Sequence, residues 1–206
     1  MREIKLPTDD ETIRSLHAGD AVLLSGVMMT GRDAVHKWMI DTFIRKTREP
    51  QGDDLEVYEA IKKVLDHSVL YHCGPVVAGL DTGDYKFVAA GPTTSIREEP
   101  YEAEVIHHFH LRGVMGKGGM GPKTLKACQE EPAVYFHAVG GAATLIAQSV
   151  QRVLAVYKLE FGVPEAMWVI EVKDFPAIVT MDSHGKSLHE DVLEASEEKL
   201  KAIIGV

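Results

Sequence analysis

A chain of 206 residues with 45% hydrophobic content carries enough apolar material for one sizeable core, which sets aside a disordered protein. Its net charge of -9, from 22 Lys and Arg against 31 Asp and Glu, disfavours a nucleic-acid binder that works by neutralising phosphates. No apolar run approaches the roughly 20 residues of a membrane-spanning helix, and "MREIKLPTDD" lacks the apolar centre of a signal peptide, so a cytoplasmic protein without membrane contact is expected.

In chain order, "REIKLPTDDETIRSLHAGD" reads as a short strand, a loop and a turn at Gly19-Asp20, and "AVLLSGV" as a buried strand. "TGRDAVHKWMIDTFIRKTRE" places Ala34, Trp38 and Phe43 near helical spacing, with Asp33 close to the start. "PQGDD" at 50–54 interrupts the pattern, "LEVYEAIKKVLDH" resumes it as a second helix, and "SVLYHCGPVVAG" reads as one strand closed by Gly74-Pro75. Strand, turn and helix then recur in "YKFVAAGPTTSIREEPYEAEVIHHFHLRG", "VMGKGGMGPKTLKACQEE" and "AVYFHAVGGAATLIAQSVQ". Three strand-like runs follow, "VLAVYKLEF", "AMWVIEVKDF" and "AIVTMDSHG", and "KSLHEDVLEASEEKLKAIIG" ends the chain as an amphipathic helix. Alternating strands and helices followed by consecutive strands predict one α/β domain over 1–206 with an added antiparallel portion.

Four strand-to-helix turns are rich in glycine, and three of them carry a basic residue: Arg32 in "TGRDAVH", Arg97 in "GPTTSIR" and Lys117 in "MGKGGMG". Turning the chain in "AGPTTSIR" needs only the glycine or the proline, so the hydroxyls and the guanidinium point to a polar ligand. In an α/β sheet such turns gather at the carboxyl edge of the strands, where helix N-termini favour an anion. Two arginines and a lysine exceed the need of one carboxylate and fit a small dicarboxylate. "GVMGKGG" is not a phosphate-binding P-loop, because Gly118 stands where that loop needs Ser or Thr. His107, His108 and His110 do not complete a metal site, and no metal ligand is expected in this chain. His36, four residues after Arg32, either reaches the crevice as acid, base or orienting group or packs beneath it. Cys73 and Cys128 lack CxxC spacing and read as two free thiols.

Together, "SGVMMTGRDAVHK", "YHCGPV", "AAGPTTSIR", "GVMGKGGM", "AVGGAA" and "WVIEVKDFPAIVTMDSHG" resemble the β-type subunit, or C-terminal domain, of the class I iron–sulfur-dependent fumarate hydratases and the related L-tartrate dehydratases. The resemblance runs from about residue 4 to 186. It implies a swivelling β/β/α three-layer fold with a mainly parallel central sheet, and a tricarboxylic acid cycle hydro-lyase that turns fumarate into L-malate. It also implies an α-type partner carrying a [4Fe–4S] cluster that this chain does not ligate, as a homo-oligomer or an α2β2 assembly. Carried across by motif, Arg32, Thr93, Arg97 and Lys117 bind substrate, Thr93 and Lys117 are the catalytic candidates, and His36, Thr94, Gly116 and Gly118 support them from behind. Tartrate dehydration and a stand-alone dicarboxylate-binding role are the alternatives. The chain departs from the family at "REEPYE", where many members follow the arginine with Met-Asp, and in "KTREPQGDDLEVYEAIKKVLDH".

Overall fold

The computed structural model describes residues 1–205. It begins with β1 (Arg2–Leu6) and a short helix, α1 (Asp10–Arg14), in place of the loop read from the sequence. Asp9 caps that helix, its carboxylate accepting from the Thr12 N–H at 2.7 Å, and Ile13 anchors it in the core. β2 (Ala21–Thr30) leads into α2 (Asp33–Met39), which continues as one π-helical turn, Ile40–Ile44, so the helix stops short of Glu49. α3 (Asp54–Leu65) buries Val57, Ile61 and Leu65 as a stripe at helical spacing. Its buried Asp54 accepts from Trp38 Nε1 at 2.9 Å and lies 2.8 Å from Lys158 Nζ, which fixes the departing segment against α2.

The stretch 68–79, read as a strand closed by Gly74-Pro75, holds two strands. β3 (Val69–Tyr71) stays in the main sheet, while β4 (Val76–Ala78) leaves it to pair with β5 (Lys86–Ala89). β3 ends at Tyr71, and the Gly74-Pro75 step, whose proline has no N–H for a ladder, lies between it and β4. A 3-10 turn (Ser95–Glu98), α4 (Glu102–Phe109), β6 (Gly113–Gly116), α5 (Pro122–Glu130), β7 (Val134–His137) and α6 (Ala143–Ala147) follow. β8 (Val150–Tyr157), β9 (Met167–Met181) and α7 (Leu188–Ile204) complete the order.

β9 overturns a second expectation, because the two runs separated at Pro176 form one 15-residue strand. Asp174 has a φ of 53° and Pro176 lacks an N–H, both signals of a turn. Here a bulge absorbs them: the register slips between Leu24 and Gly26 of β2, and the Asp174 N–H donates to Ser25 Oγ at 2.9 Å. Gly26, at a φ of 128°, is required at the slip, since an added Cβ would sit 2.2 Å from the Leu6 carbonyl oxygen.

The main sheet runs β1-β2-β3-β6-β7-β9-β8, and β2 also pairs with β9, so the pairing closes on itself through β2, β3, β6, β7 and β9. Pairings among β1, β2, β3, β6 and β7 are parallel, whereas β9 is antiparallel to β2, β7 and β8. The architecture is therefore α/β with a mixed sheet rather than a mainly parallel one, because the long β9 supplies three neighbours with an antiparallel partner. Side chains alternate between two cores: Val69, Tyr71, Met115 and Phe136 face one that contains Trp168 and Phe175, and Leu70, Val114 and Tyr135 face the other, beneath α2, α3, α4 and α5. Trp168 is fully buried, packs edge-on to Tyr85 and Phe87, and donates Nε1–H to the Val163 carbonyl at 2.9 Å. Trp168→Ala should cost about 3–5 kcal/mol in urea unfolding, and a loss below about 1 kcal/mol would contradict this account of the core. Among the described residues no helix is long and apolar enough to cross a membrane.

Candidate functional site

The parallel strands β2, β3, β6 and β7 end on the same edge of the sheet, and the glycine-bearing turns meet there. The segment Thr93–Ser95 extends the sheet between the ends of β3 and β6: the Thr93 N–H donates to the His72 carbonyl at 2.7 Å, the Lys117 N–H to the Thr93 carbonyl at 3.2 Å, and the Ser95 N–H to the Lys117 carbonyl at 3.0 Å. Thr93 and Lys117 are thus held side by side by backbone. Arg97 reaches the Arg32 turn through Asp33, whose carboxylate accepts from Nη2 at 2.6 Å. Gly74 lies against the Arg32 guanidinium, where an added Cβ would be 2.5 Å from Nη1. Gly140 of the fourth turn lies beside the Lys117 stem, and a Cβ added there would be 3.5 Å from Cδ. The turns of Arg32, Thr93, Arg97 and Lys117 are accordingly brought together.

The cations differ in their partners. Arg32 Nε stands 3.2 Å from Glu165, whose other oxygen accepts from the Ala34 N–H at 3.1 Å. Arg97 spends one of its five donors on Asp33 and is half exposed. Lys117, half-buried, has no carboxylate within 4.0 Å among the described residues. Thr94 is exposed, Gly118 adopts a φ of 82°, and Gly116 is buried against Ser95. Two of the helix N-termini expected to attract an anion already hold carboxylates: Glu165 binds the first turn of α2, and Glu99 accepts from the N–H groups of Gly121 and Lys123 at 2.7 and 2.9 Å at the start of α5. At α2 and α5 side-chain cations rather than helix ends are therefore left for a ligand.

His36 packs beneath the crevice. It is fully buried, with Nδ1 2.9 Å from the Arg32 carbonyl and Nε2 2.9 Å from Glu102 Oε2. His72, also buried, meets the same Glu102 oxygen through Nε2 at 2.9 Å and Ser95 Oγ through Nδ1 at 2.8 Å. The Tyr135 hydroxyl donates to Ser95 Oγ at 2.8 Å, which completes a buried chain under the three turns. All three acids of the departing "REEPYE" are engaged by the protein: Glu102 meets the two imidazoles, Glu98 is buried 3.5 Å from His36 Nδ1 with both oxygens unbonded, and Glu99 caps α5. Of this buried chain only His36 stands out in the sequence. Glu98 and Glu102 look like the outer face of a helix, and His72 looks like one more strand position. The signal that could have found them is the pair of acids four residues apart directly after a substrate-type turn.

Burial by itself would lower the His36 value, but the Glu102 charge and hydrogen bond, with Glu98 and the Arg32 carbonyl, overcome it and raise it from 6.5 to about 9. Burial opposes ionisation of Glu102 too, yet His36 and His72 bring it down from 4.5 to about 2. Burial raises Glu98. The sign of the linkage follows: stabilisation by His36 is complete below pH 6.5 and lost as pH rises through about 9, while that by Glu102 is complete above 4.5 and lost as pH falls through about 2. Thermal stability should decline between pH 7 and 10 in the wild type, and a melting temperature flat across that interval would contradict the imidazolium at His36.

His36, His72 and Glu102 offer three ligand atoms within 4.8 Å of one another, the one such group among the described residues. The other histidines singled out by sequence are elsewhere: His107 lies 3.2 Å from Glu130, His108 meets the Tyr58 hydroxyl at 2.8 Å, and His110 ends α4 in the left-handed region. Cys73 and Cys128 are free and buried, and burial pushes Cys73 up to about 12 and Cys128 up as well. Cys73 lies in one core and Cys128 in the other, so the two do not form a thiolate set for an iron–sulfur cluster.

Residues 1–192 match the profile of the family described as Fumarase C-terminus. A Geobacillus stearothermophilus protein provisionally named fumarate hydratase class I is 48% identical over 197 residues, which make up 96% of this chain and 35% of that protein. A Methanocaldococcus jannaschii protein provisionally named L(+)-tartrate dehydratase subunit beta is 39% identical over 196 residues, 94% of each chain. The L(+)-tartrate dehydratase subunit beta of Escherichia coli K12 is 35% identical over 184 residues, 88% of this chain and 83% of that one. The chain thus spans about a third of the Geobacillus relative and most of the two beta subunits.

Proposed function

This chain belongs to the fumarase C-terminus family, and we propose that it is the β-type subunit of an iron–sulfur hydro-lyase whose active site it shares with an α-type chain. Residues 1–206 are read as one domain of the swivelling β/β/α kind, paired with its partner in an α2β2 or related assembly. The reaction is reversible hydration of fumarate to L-malate. The observation that carries this reading is the meeting of Arg32, Thr93, Arg97 and Lys117 on one sheet edge, with Lys117 free of any carboxylate among the described residues. A dicarboxylate presents two acceptor groups to these three cations, and charge-assisted bonds fix its orientation. Arg32 and Arg97 bind its carboxylates, Lys117 adds the third cation, and the Thr93 hydroxyl orients the carbon that gains or loses a proton. A neutral hydroxyl is a weak base, so positioning is the role assigned to Thr93.

The cluster expected for such an enzyme belongs to the α-type chain, since the two buried thiols of this one are unsuited to it. Dehydration of L-tartrate is the second reading, supported by the two beta subunits that match along most of their length. Arg97→Ala in the assembled enzyme should lower kcat/KM roughly tenfold to hundredfold, the worth of one charge-assisted bond to substrate. Unaltered kinetics would remove Arg97 from the clamp.

A further inference from the structure

The hydrogen-bond directions in the buried chain are fixed by its ends. The Arg32 carbonyl can only accept, so His36 Nδ1 carries a proton; the Glu102 carboxylate accepts at Oε2, so His36 Nε2 carries one too. With Glu102 ionised, its pKa held down to about 2 by the two imidazoles, His36 is an imidazolium. The same oxygen accepts from His72 Nε2, which leaves His72 Nδ1 to accept from the Ser95 hydroxyl, and Ser95 Oγ in turn accepts from Tyr135. Each link comes from a different element: Arg32 and His36 from the first turn and α2, His72 from the end of β3, Ser95 from the Thr93–Arg97 turn, Glu102 from α4 and Tyr135 from β7.

We propose that His36, His72, Glu102 and Ser95 are positioning residues of the dicarboxylate clamp: a buried imidazolium–carboxylate–imidazole–hydroxyl chain that sets the spacing between the Arg32 turn and the Thr93–Arg97 turn. The proposal rests on the clamp reading above. None of the four is exposed, so they act through Arg32, Thr93 and Lys117 rather than on substrate. Ser95 is bonded twice over, its N–H to the Lys117 carbonyl and its Oγ to the chain, so it joins the lysine turn as well. The charged and titratable groups facing His36 are Glu98 from the 3-10 turn, Glu102 from α4 and His72 just after β3, and burial raises Glu98 above the ordinary carboxyl value against the pull of the two imidazoles.

The test begins with long-range ¹H–¹⁵N spectra of the histidine rings in the full chain at pH 7.5. Both His36 nitrogens should be protonated and His72 protonated at Nε2 only. A neutral His36 would overturn the chain as drawn, and so would unprotonated Nε2 atoms on both rings accompanied by one metal ion per chain. Ser95→Ala, the variant least able to disturb folding, should speed amide exchange at Thr93 and Lys117 by at least roughly tenfold, as loss of a local tether does. In the assembled enzyme Ser95→Ala and Glu102→Gln should lower kcat/KM by roughly tenfold to hundredfold, the cost of misplacing a clamp by a fraction of an ångström to an ångström. Unchanged exchange in Ser95→Ala, or wild-type kinetics in both variants, would overturn the positioning role. An inactive wild-type assembly whose ring protonation and exchange follow expectation would defeat the hydro-lyase reading while supporting the chain as the tether of these turns.

Discussion

Lys117→Ala in the assembled enzyme should lower kcat/KM for the dicarboxylate roughly a hundredfold while leaving the melting temperature almost unchanged, because a charge-assisted bond to substrate is worth about 1.5–3 kcal/mol and exposed or half-exposed truncations cost little stability. The two effects separate because of where the side chain sits. Its backbone is held by Thr93 and Ser95, which the substitution leaves alone, and its ammonium is joined to no carboxylate among the described residues. Arg32 and Arg97 differ in being partly spent on Glu165 and Asp33. Lys117 is therefore the cation with the most to give to a ligand. An unaltered kcat/KM would place the substrate elsewhere, and a large fall in melting temperature would mean that the side chain holds the turn instead.

Gly116→Ala joins fold and site in a single methyl group. The added carbon would sit 1.9 Å from Ser95 Oγ and 3.2 Å from both the His72 Cβ and the Thr93 carbonyl oxygen. Ser95 cannot swing clear without giving up His72 and Tyr135, so the substitution should cost about 1–3 kcal/mol by overpacking and reduce kcat/KM as the turn shifts. The double variant Gly116→Ala with Ser95→Ala removes the clash but not the loss of the tether. It should recover much of the stability and little of the activity, a non-additive result that comparison with the single variants would reveal. Additive stabilities would show that Gly116 and Ser95 do not share that space.

The strand, turn and helix alternation was legible because each repeat carries its own punctuation, a glycine turn after an apolar run. Where punctuation misleads, the reading fails. Asp174 and Pro176 imitate a turn, yet a bulge opposite Gly26 lets β9 continue, and that depends on β2, whose Ser25 lies 149 positions from Asp174 along the chain. Gly74-Pro75 marks a break after β3, but that Val76–Ala78 then joins another sheet depends on its partner β5, which local composition does not name. The three basic turns were visible because charge in a glycine turn is unusual. The acids that support them were not, since a buried Glu102 and a half-exposed Glu104 are the same letter, distinguished by the two imidazoles that meet the first and the surface Arg45 that meets the second.

Steady-state hydration of fumarate and dehydration of L-tartrate, measured anaerobically for this chain alone and for the chain assembled with a cluster-bearing α-type partner, tests the shared-site reading most directly. Turnover should appear only in the assembly, with fumarate as the preferred acid, and the isolated chain should bind L-malate weakly because half of the ligand's surroundings are missing. Turnover by the chain alone, or submicromolar binding of L-malate to it, would contradict a site divided between two chains.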